Sequence, residues 1–221
     1  MSQSPSLQEI HDRLAAHYGP TGWWPGDTPF EIAVGAILTQ NTAWTNVERA
    51  IANLKAEQLL SPRALHDAPA NILEQALRPS GYFRVKAQRL RNFCAYLLET
   101  HGGSMQRMAR RPLDALRPEL LSVKGVGPET ADDILLYACG KLVFVVDAYT
   151  RRILYRHGLV EKNIGYEALR KRFETSIPRD LHLYKEYHGL IVWTGKEFCG
   201  PKPKCEACPL RPFLQPGQPR A

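Results

Sequence analysis

Asp147 is the residue whose position most directly suggests chemistry. It follows the apolar run Leu142–Val146 and precedes Ala148–Leu154, which is predicted to be helical. A carboxylate at such a place is either a helix N-cap, accepting a hydrogen bond from an N–H of the first turn, or a catalytic acid. The two roles are compatible, because a capped carboxylate is held ionised and in one orientation.

The segment around Gly125 and Gly127 indicates a binding site for an anion. Both glycines can adopt the positive φ of a tight turn, and Pro128 suits the first position of a helix. The N–H groups of such a turn suit a DNA phosphate, beside the charge of Lys124. The alternative is a simple turn between two core helices, since short glycine motifs also occur by chance.

Two adjacent tryptophans, Trp23 and Trp24, stand between Gly22 and Pro25. The segment is too constrained for a helix and is predicted to form a loop. Its rings either fill the core or present a surface on which a base stacks, a contact worth about 1–3 kcal/mol per base.

A tail rich in proline and lysine carries Cys199, Cys205 and Cys208. This spacing is typical of a metal-binding knuckle. Cys94 and Cys139 fall in predicted helices and are interpreted as core thiols. The pattern does not suggest a disulfide framework, so we expect a cytoplasmic protein in a reducing compartment.

The composition favours a polyanionic partner. Among 221 residues, 29 Lys and Arg stand against 22 Asp and Glu, for a formal charge of +7. No apolar run is long enough to span a membrane, and the N-terminus lacks the pattern of a secretory signal.

Apolar periodicity predicts about ten helices. The first covers residues 7–18, and Thr28-Pro29 begins a nearly all-apolar helix, predicted to be central and buried. Polar residues 39–42 separate it from a helix over 45–54, and residues 102–112 are predicted to form a loop. Further helices are predicted to start at Pro62 and Pro69 and to cover 85–98, 113–123, 166–173 and 181–193. Only residues 142–146 resemble a strand, and they need not pair.

Five segments together resemble the helix-hairpin-helix glycosylase superfamily of endonuclease III, from about Trp23 to Cys208. Within it, the 3-methyladenine DNA glycosylase III type is most similar. The segments are Trp23-Trp-Pro25, Gly35-Ala-Ile-Leu-Thr-Gln-Asn-Thr42, Arg78-Pro-Ser-Gly-Tyr82 with Lys86-Ala-Gln-Arg-Leu90, Lys124-Gly-Val-Gly-Pro-Glu-Thr-Ala-Asp132 and Val145-Val-Asp147.

The resemblance implies an all-α fold of two helical lobes with a DNA-binding cleft. Residues 28–141 would form a six-helix barrel, with the helix-hairpin-helix motif at about 113–138. Residues 1–27 and 142–221 would form the second lobe, with the cysteine cluster at 199–208. The implied partner is double-stranded DNA containing a damaged base, bound by a monomer.

The resemblance also implies roles for single residues. Trp23, Trp24 and Pro25 would line the base pocket, with Trp44 facing them and Glu129 nearby. Stacked π faces select a cationic base such as an N-alkylated purine. Gln40 would enter the DNA stack and Tyr82 would wedge the duplex open, unless the Tyr82 ring packs in the core. The remaining predicted DNA contacts are Lys86, Lys124, Gly125, Gly127, Arg151, Lys202 and Lys204.

Superfamily members hold a [4Fe–4S] cluster with four cysteines. Here the first gap has five residues where six is usual, and Leu214 stands where the fourth cysteine is expected. Three alternatives follow: a three-cysteine cluster with an outside or open ligand, a zinc site completed by another residue, or a knuckle without metal.

Asp147 would stabilise the oxocarbenium-like sugar and orient or deprotonate a water. Bifunctional members place a lysine where this chain has Glu129, and a carboxylate cannot form a Schiff base. The resemblance therefore implies a monofunctional DNA glycosylase for base excision repair, acting on alkylated purines such as 3-methyladenine. Some relatives carry a lysine on the last helix where this chain has Leu190.

Two other functions stay open. One is an endonuclease III-like glycosylase and AP lyase for other damaged or mismatched bases. The other is a non-catalytic helix-hairpin-helix DNA-binding protein, for which Asp147 and the tryptophan loop would be unnecessary.

Overall fold

The computed structural model describes residues 4–220, and the regular structure within that range is helical. This confirms the predicted all-α class. The α-helices of the described residues are α1 (Leu7–Tyr18), α2 (Pro29–Leu38), α3 (Trp44–Ala56), α4 (Pro62–Asp67), α5 (Ala70–Leu77), α6 (Phe83–His101), α7 (Met105–Arg110), α8 (Leu113–Ser122), α9 (Pro128–Asp133), α10 (Ala148–Arg156), α11 (Tyr166–Ser176) and α12 (Leu181–Glu197).

Contacts between Cα atoms divide the chain into two compact units. The first unit joins the N-terminal segment through Trp24 to everything from Leu142 onward, and it contains α1 and α10–α12. The second unit is Pro25–Lys141 and contains α2–α9. Across residues 4–220, no helix combines the length and apolar character needed to cross a bilayer.

Helix α2 is the buried centre of the second unit, as its apolar sequence predicts. The Thr28 hydroxyl caps it by accepting a hydrogen bond from the N–H of Glu31, and Pro29 takes the first helical position. Eight of its ten residues are buried. It packs against α3, α6 and α9. The predicted DNA contacts Gln40, Tyr82 and Gly127 lie in the turns that adjoin these helices.

Two helices of the second unit differ from the prediction. Helix α6 begins at Phe83, two residues before the predicted start. Helix α7 occupies part of the predicted 102–112 loop. The Ser104 hydroxyl caps it by accepting a hydrogen bond from the N–H of Arg107, and Met105 and Met108 are buried. Six residues between a glycine pair and a proline are too few to show helical periodicity.

The first unit is built on α12, against which α1 and α10 pack. A capping box between Ser6 and Glu9 begins α1. The extended segment 142–146 forms no strand in the part of the chain that is described. Instead it is core: the rings of Phe144 and Phe173 stack with centroids 4.0 Å apart and planes 7° apart. This segment leads directly to Asp147.

Candidate functional site

Asp147 is the N-cap of α10, and its carboxylate is held in one orientation. Its Oδ1 accepts hydrogen bonds from the N–H and from the hydroxyl of Thr150, both at 2.7 Å. The Thr150 hydroxyl in turn accepts from the Asp147 N–H, which completes a reciprocal cap. The side chain is 12% exposed. The structure therefore combines the cap with a fixed, nearly buried carboxylate.

A second titratable group lies beside this carboxylate and was not predicted from the sequence. Nε2 of His188, on α12, is 4.0 Å from Oδ2 of Asp147, and the imidazole is 3% exposed. Burial lowers the pKa of His188, while the negative charge of Asp147 acts in the opposite direction. A neutral imidazole leaves the charge of Asp147 in place. No sequence signal separates His188 from an ordinary core histidine, since α12 also carries His182.

The tryptophan loop is anchored to the same helix, α12. The N–H and the hydroxyl of Thr21 both donate to Oε2 of Glu186, at 2.8 and 3.2 Å. Trp24 is only 8% exposed, whereas Trp23 is half-buried. The ammonium of Lys196 lies 4.8 Å from the centroid of the Trp23 ring, a cation–π contact. Trp23 therefore holds a cation against its ring.

Gly189 makes the close approach between this loop and α12 sterically feasible. A Cβ added at Gly189 would lie 2.6 Å from both Oγ1 of Thr21 and Cβ of Trp23. We expect Gly189→Ala to lower the free energy of unfolding by about 1–3 kcal/mol, because the loop must move away. Urea denaturation measures the free energy of unfolding, and tryptophan fluorescence reports the movement of the loop. Gly165→Ala is the control, since nothing lies within 4 Å of the added Cβ; equal losses from the two substitutions would contradict this packing.

The predicted hairpin joins α8 to α9 in the second unit. Gly125 has a φ of +100°, and an added Cβ there would collide with the side chain of Arg89. Gly127, in contrast, is extended with a φ of −93° and caps α9. Only Gly125 thus needs the conformational freedom of glycine. Lys124 is exposed next to it, as a phosphate contact requires.

Gln40 is held against this hairpin. Its Nε2 donates to the carbonyl of Gly125 at 3.1 Å and to Oγ1 of Thr130 at 2.8 Å, and its Oε1 accepts from the Arg89 guanidinium. Gln40 is half-buried. Its entry into a DNA stack stays a prediction. In this structure its amide is hydrogen-bonded to the hairpin.

Tyr82 is 72% exposed, so the alternative that packs its ring in the core is wrong. Its backbone is left-handed, with a φ of +44°. Asn41, next to Gln40, is also left-handed, with a φ of +53°. Non-glycine residues in this region are strained and are frequent at functional sites. Each predicted insertion residue therefore lies at or beside a strained turn.

The prediction that Lys86 contacts a DNA phosphate is wrong. Its side chain is buried, and its ammonium donates to the carbonyls of Leu38 at 2.7 Å and Ser80 at 2.6 Å, and to the hydroxyl of Thr42. Burial, and then the charge of Arg89, lowers the pKa of Lys86 to about 8. The group is therefore still protonated at pH 7, and its three N–H bonds meet three acceptors inside the unit.

The other predicted contact residues are distributed as follows. Pro25 and Glu129 are exposed, and the half-buried Trp44 donates its indole N–H to Glu48 at 2.9 Å. The guanidinium of Arg151 donates to the carbonyl of Ile164 and lies over the ring of Tyr166. Lys202 and Lys204 are exposed in the tail.

Cys199, Cys205 and Cys208 line one cavity of the first unit, together with Leu214. All three are free thiols. Nη1 of Arg156 lies 3.2 Å from Sγ of Cys199, as a donor to that sulfur. Within the described residues, no three His, Cys, Asp or Glu side chains converge closely enough to hold a single metal ion.

Comparison with known proteins agrees with this fold. Residues 34–179 match the family model described as HhH-GPD superfamily base excision DNA repair protein. A protein of Methanocaldococcus jannaschii named as a DNA repair glycosylase is 46% identical over 209 residues, 94% of either chain. Endonuclease III of Thermotoga maritima is 32% identical over 184 residues, 83% of this chain and 81% of the relative.

A solved structure extends the comparison to three dimensions. The 3-methyladenine DNA glycosylase of H. pylori, bound to 1,N6-ethenoadenine, superposes with a TM-score of 0.77 at 29% identity, covering 87% of this chain and 98% of that one. The chain therefore belongs to the HhH-GPD superfamily of base excision DNA repair proteins, as the family match, the similarity to relatives and the shared fold all indicate.

Proposed function

We propose that this DNA glycosylase is monofunctional and releases alkylated purines, such as 3-methyladenine, from double-stranded DNA. The single observation that carries the proposal is the carboxylate of Asp147, fixed by Thr150 at the start of α10 beside a buried imidazole. A protein that only binds phosphates needs no such group.

In the proposed mechanism, Asp147 acts by charge. Cleavage of the C1′–N bond develops positive charge on the sugar, and a fixed carboxylate stabilises that oxocarbenium-like state. The same carboxylate orients or deprotonates the attacking water. Burial lowers the pKa of His188, and a neutral imidazole does not cancel the charge of Asp147. The target base first leaves the stack, at a cost of about a few kcal/mol that is lower for damaged bases.

We propose that the enzyme has no lyase activity because of the residue at position 129. Glu129 lies exposed in the first turn of α9, where bifunctional members of the superfamily carry the lysine nucleophile. A carboxylate cannot form a Schiff base with the sugar. Hydrolysis by water then leaves an intact abasic strand.

Alkylated purines are proposed because the tryptophan loop already binds a cation. Lys196 occupies a face of Trp23, and an N-alkylated purine is a flat cation suited to the same electron-rich surface. The similar H. pylori enzyme is a 3-methyladenine glycosylase. We further propose that Trp24, Pro25, Trp44 and Glu129 contribute to the base pocket.

DNA binding is assigned mainly to the second unit. We propose that Lys124, Gly125 and Gly127 bind a phosphate and that Gln40 and Tyr82 enter the duplex, with further phosphate contacts from Arg151, Lys202 and Lys204. Four further points stay predictions: the barrel formed by 28–141, the lobe formed by 1–27 and 142–221, the monomeric state and the cytoplasmic location.

We infer a [4Fe–4S] cluster at Cys199, Cys205 and Cys208.

A second candidate function is an endonuclease III-like glycosylase and lyase for other bases. It is favoured by the 32% identity to endonuclease III of T. maritima. Borohydride reduction separates the two functions, because it traps a covalent adduct only when an enzyme amine has attacked abasic DNA.

The base specificity is tested at Trp23. We expect Trp23→Ala to lower kcat/KM for release of 3-methyladenine by about 10- to 100-fold, the loss of one stacking contact. Trp193→Ala is the matched control: Trp193 is a half-buried tryptophan of α12 whose ring meets Tyr18 edge-on at 5.6 Å. Equal rates for wild type and Trp23→Ala, measured as free base released, would contradict the stacking role.

A further inference from the structure

The cavity lined by the three tail cysteines lacks a fourth cysteine. Leu214 lines the cavity and stands at the position where the fourth cysteine is expected, and its hydrocarbon side chain cannot bind a metal. Another part of the wall comes from the end of α10, with Ile153, Arg156 and His157. Of these, His157 carries a donor atom of the kind that metals accept.

The imidazole of His157 has one nitrogen in use and one without a partner. The residue is 7% exposed. One ring nitrogen donates to the backbone of Phe213, the residue immediately before Leu214. The other, Nδ1, is buried and makes no hydrogen bond. Buried polar atoms are almost always paired, so an orphaned imidazole nitrogen in a cavity of cysteines requires an explanation.

The hydrogen bond to Phe213 also fixes the state of the ring. A nitrogen that donates carries the proton, so Nδ1 keeps a lone pair. Histidines that bind metals usually donate their other ring N–H to a backbone carbonyl or a carboxylate, which sets the tautomer and the ring orientation. His157 has this arrangement before any metal is considered.

The donor set fits a cluster better than a single ion. A tetrahedral ion with metal–sulfur bonds of about 2.3 Å needs its ligands nearly in contact, and the described residues contain no such convergent group. A cluster of several irons accepts ligands that are farther apart. Arg156 donates to the Cys199 sulfur at 3.2 Å, and such hydrogen bonds stabilise the thiolate form that binds iron.

We propose that Nδ1 of His157 is the fourth ligand of a [4Fe–4S] cluster whose other three ligands are Cys199, Cys205 and Cys208. His157, at the end of α10, thereby takes the place of the missing fourth cysteine. The inference deepens the cluster assignment made above and does not depend on the base that the enzyme excises.

The test uses the full chain, reconstituted without oxygen with ferrous iron and sulfide. We expect four irons and four sulfides per chain and, after reduction, a pulsed-EPR spectrum with strong coupling to one nitrogen. Labelling the protein with ¹⁵N-histidine should change that coupling to the ¹⁵N pattern. A reduced cluster without strong nitrogen coupling, or a chain that binds only zinc or no metal, would overturn the proposal.

Substitutions at His157 provide an independent test of the fourth ligand. His157→Ala should lose most of the bound iron and sulfide, while His101→Ala, at another buried histidine, keeps them. Adding Leu214→Cys to His157→Ala restores the usual fourth position and should recover the cluster without nitrogen coupling. An unchanged cluster spectrum in His157→Ala would contradict the assignment. Because the nitrogen coupling is measured on the wild type, the test remains decisive even if His157→Ala folds poorly.

Discussion

Asp147→Asn will lower the rate of base release by about 10³-fold while leaving the fold and its stability nearly unchanged. Asparagine caps helices about as well as aspartate, so the hydrogen bonds that Oδ1 makes to Thr150 survive the change. What the substitution removes is the negative charge that stabilises the sugar cation. The two roles of Asp147 are thereby separated in one variant.

The measurement is single-turnover release of methylated bases, combined with thermal unfolding and DNA binding. Asp180→Asn is the matched control, because Asp180 caps α12 in the same unit through a 2.7 Å hydrogen bond from the N–H of Leu183. The control should release base at the wild-type rate. A wild-type rate for Asp147→Asn would show that its charge has no part in the chemistry.

Lys86→Met is expected to lower the free energy of unfolding by about 3 kcal/mol, since it leaves buried acceptors without a donor. The ammonium joins the end of α2, through Leu38, to Thr42 and to the turn at Ser80. Methionine fills a similar volume but donates nothing. Because these turns carry Gln40 and Tyr82, a second expected effect is weaker binding of damaged DNA.

Urea denaturation measures the stability, and Lys124→Met is the control at an exposed lysine. The control should change stability by less than about 0.5 kcal/mol and weaken DNA binding through the lost charge alone. If Lys86→Met unfolded at the wild-type urea concentration, Lys86 would not be the structural junction described above.

The local sequence is sufficient to predict most helices and the hairpin. Thr28-Pro29 predicts the start of α2, and the residues after it identify the helix as buried because they are apolar on nearly every side. Helix α7 escapes prediction because six residues show too little periodicity. The positive φ of Gly125 follows from its turn, whereas the extended Gly127 depends on how α9 begins.

Contacts between distant residues account for the rest of the candidate site. Lys86 looks like a member of a basic helix face, but tertiary packing turns its ammonium inward to Leu38 and Ser80. His188 approaches Asp147 only because α12 packs on α10. Neither contact leaves a pattern in the sequence, since the partners are far apart along the chain. Tyr82, in contrast, follows a turn signal, and its exposure decides between two interpretations that the sequence leaves open.

Hydrolysis by a monofunctional glycosylase is tested by following both products of the wild-type enzyme on one duplex carrying methylated purines. Chromatography measures the free base, and a denaturing gel measures strand breaks before and after treatment with alkali. We expect free 3-methyladenine to accumulate with an equal number of abasic sites, and strands to break only after alkali. Strand breaks that accumulate with base release before alkali, together with a borohydride-trapped adduct, would contradict hydrolysis by a monofunctional glycosylase.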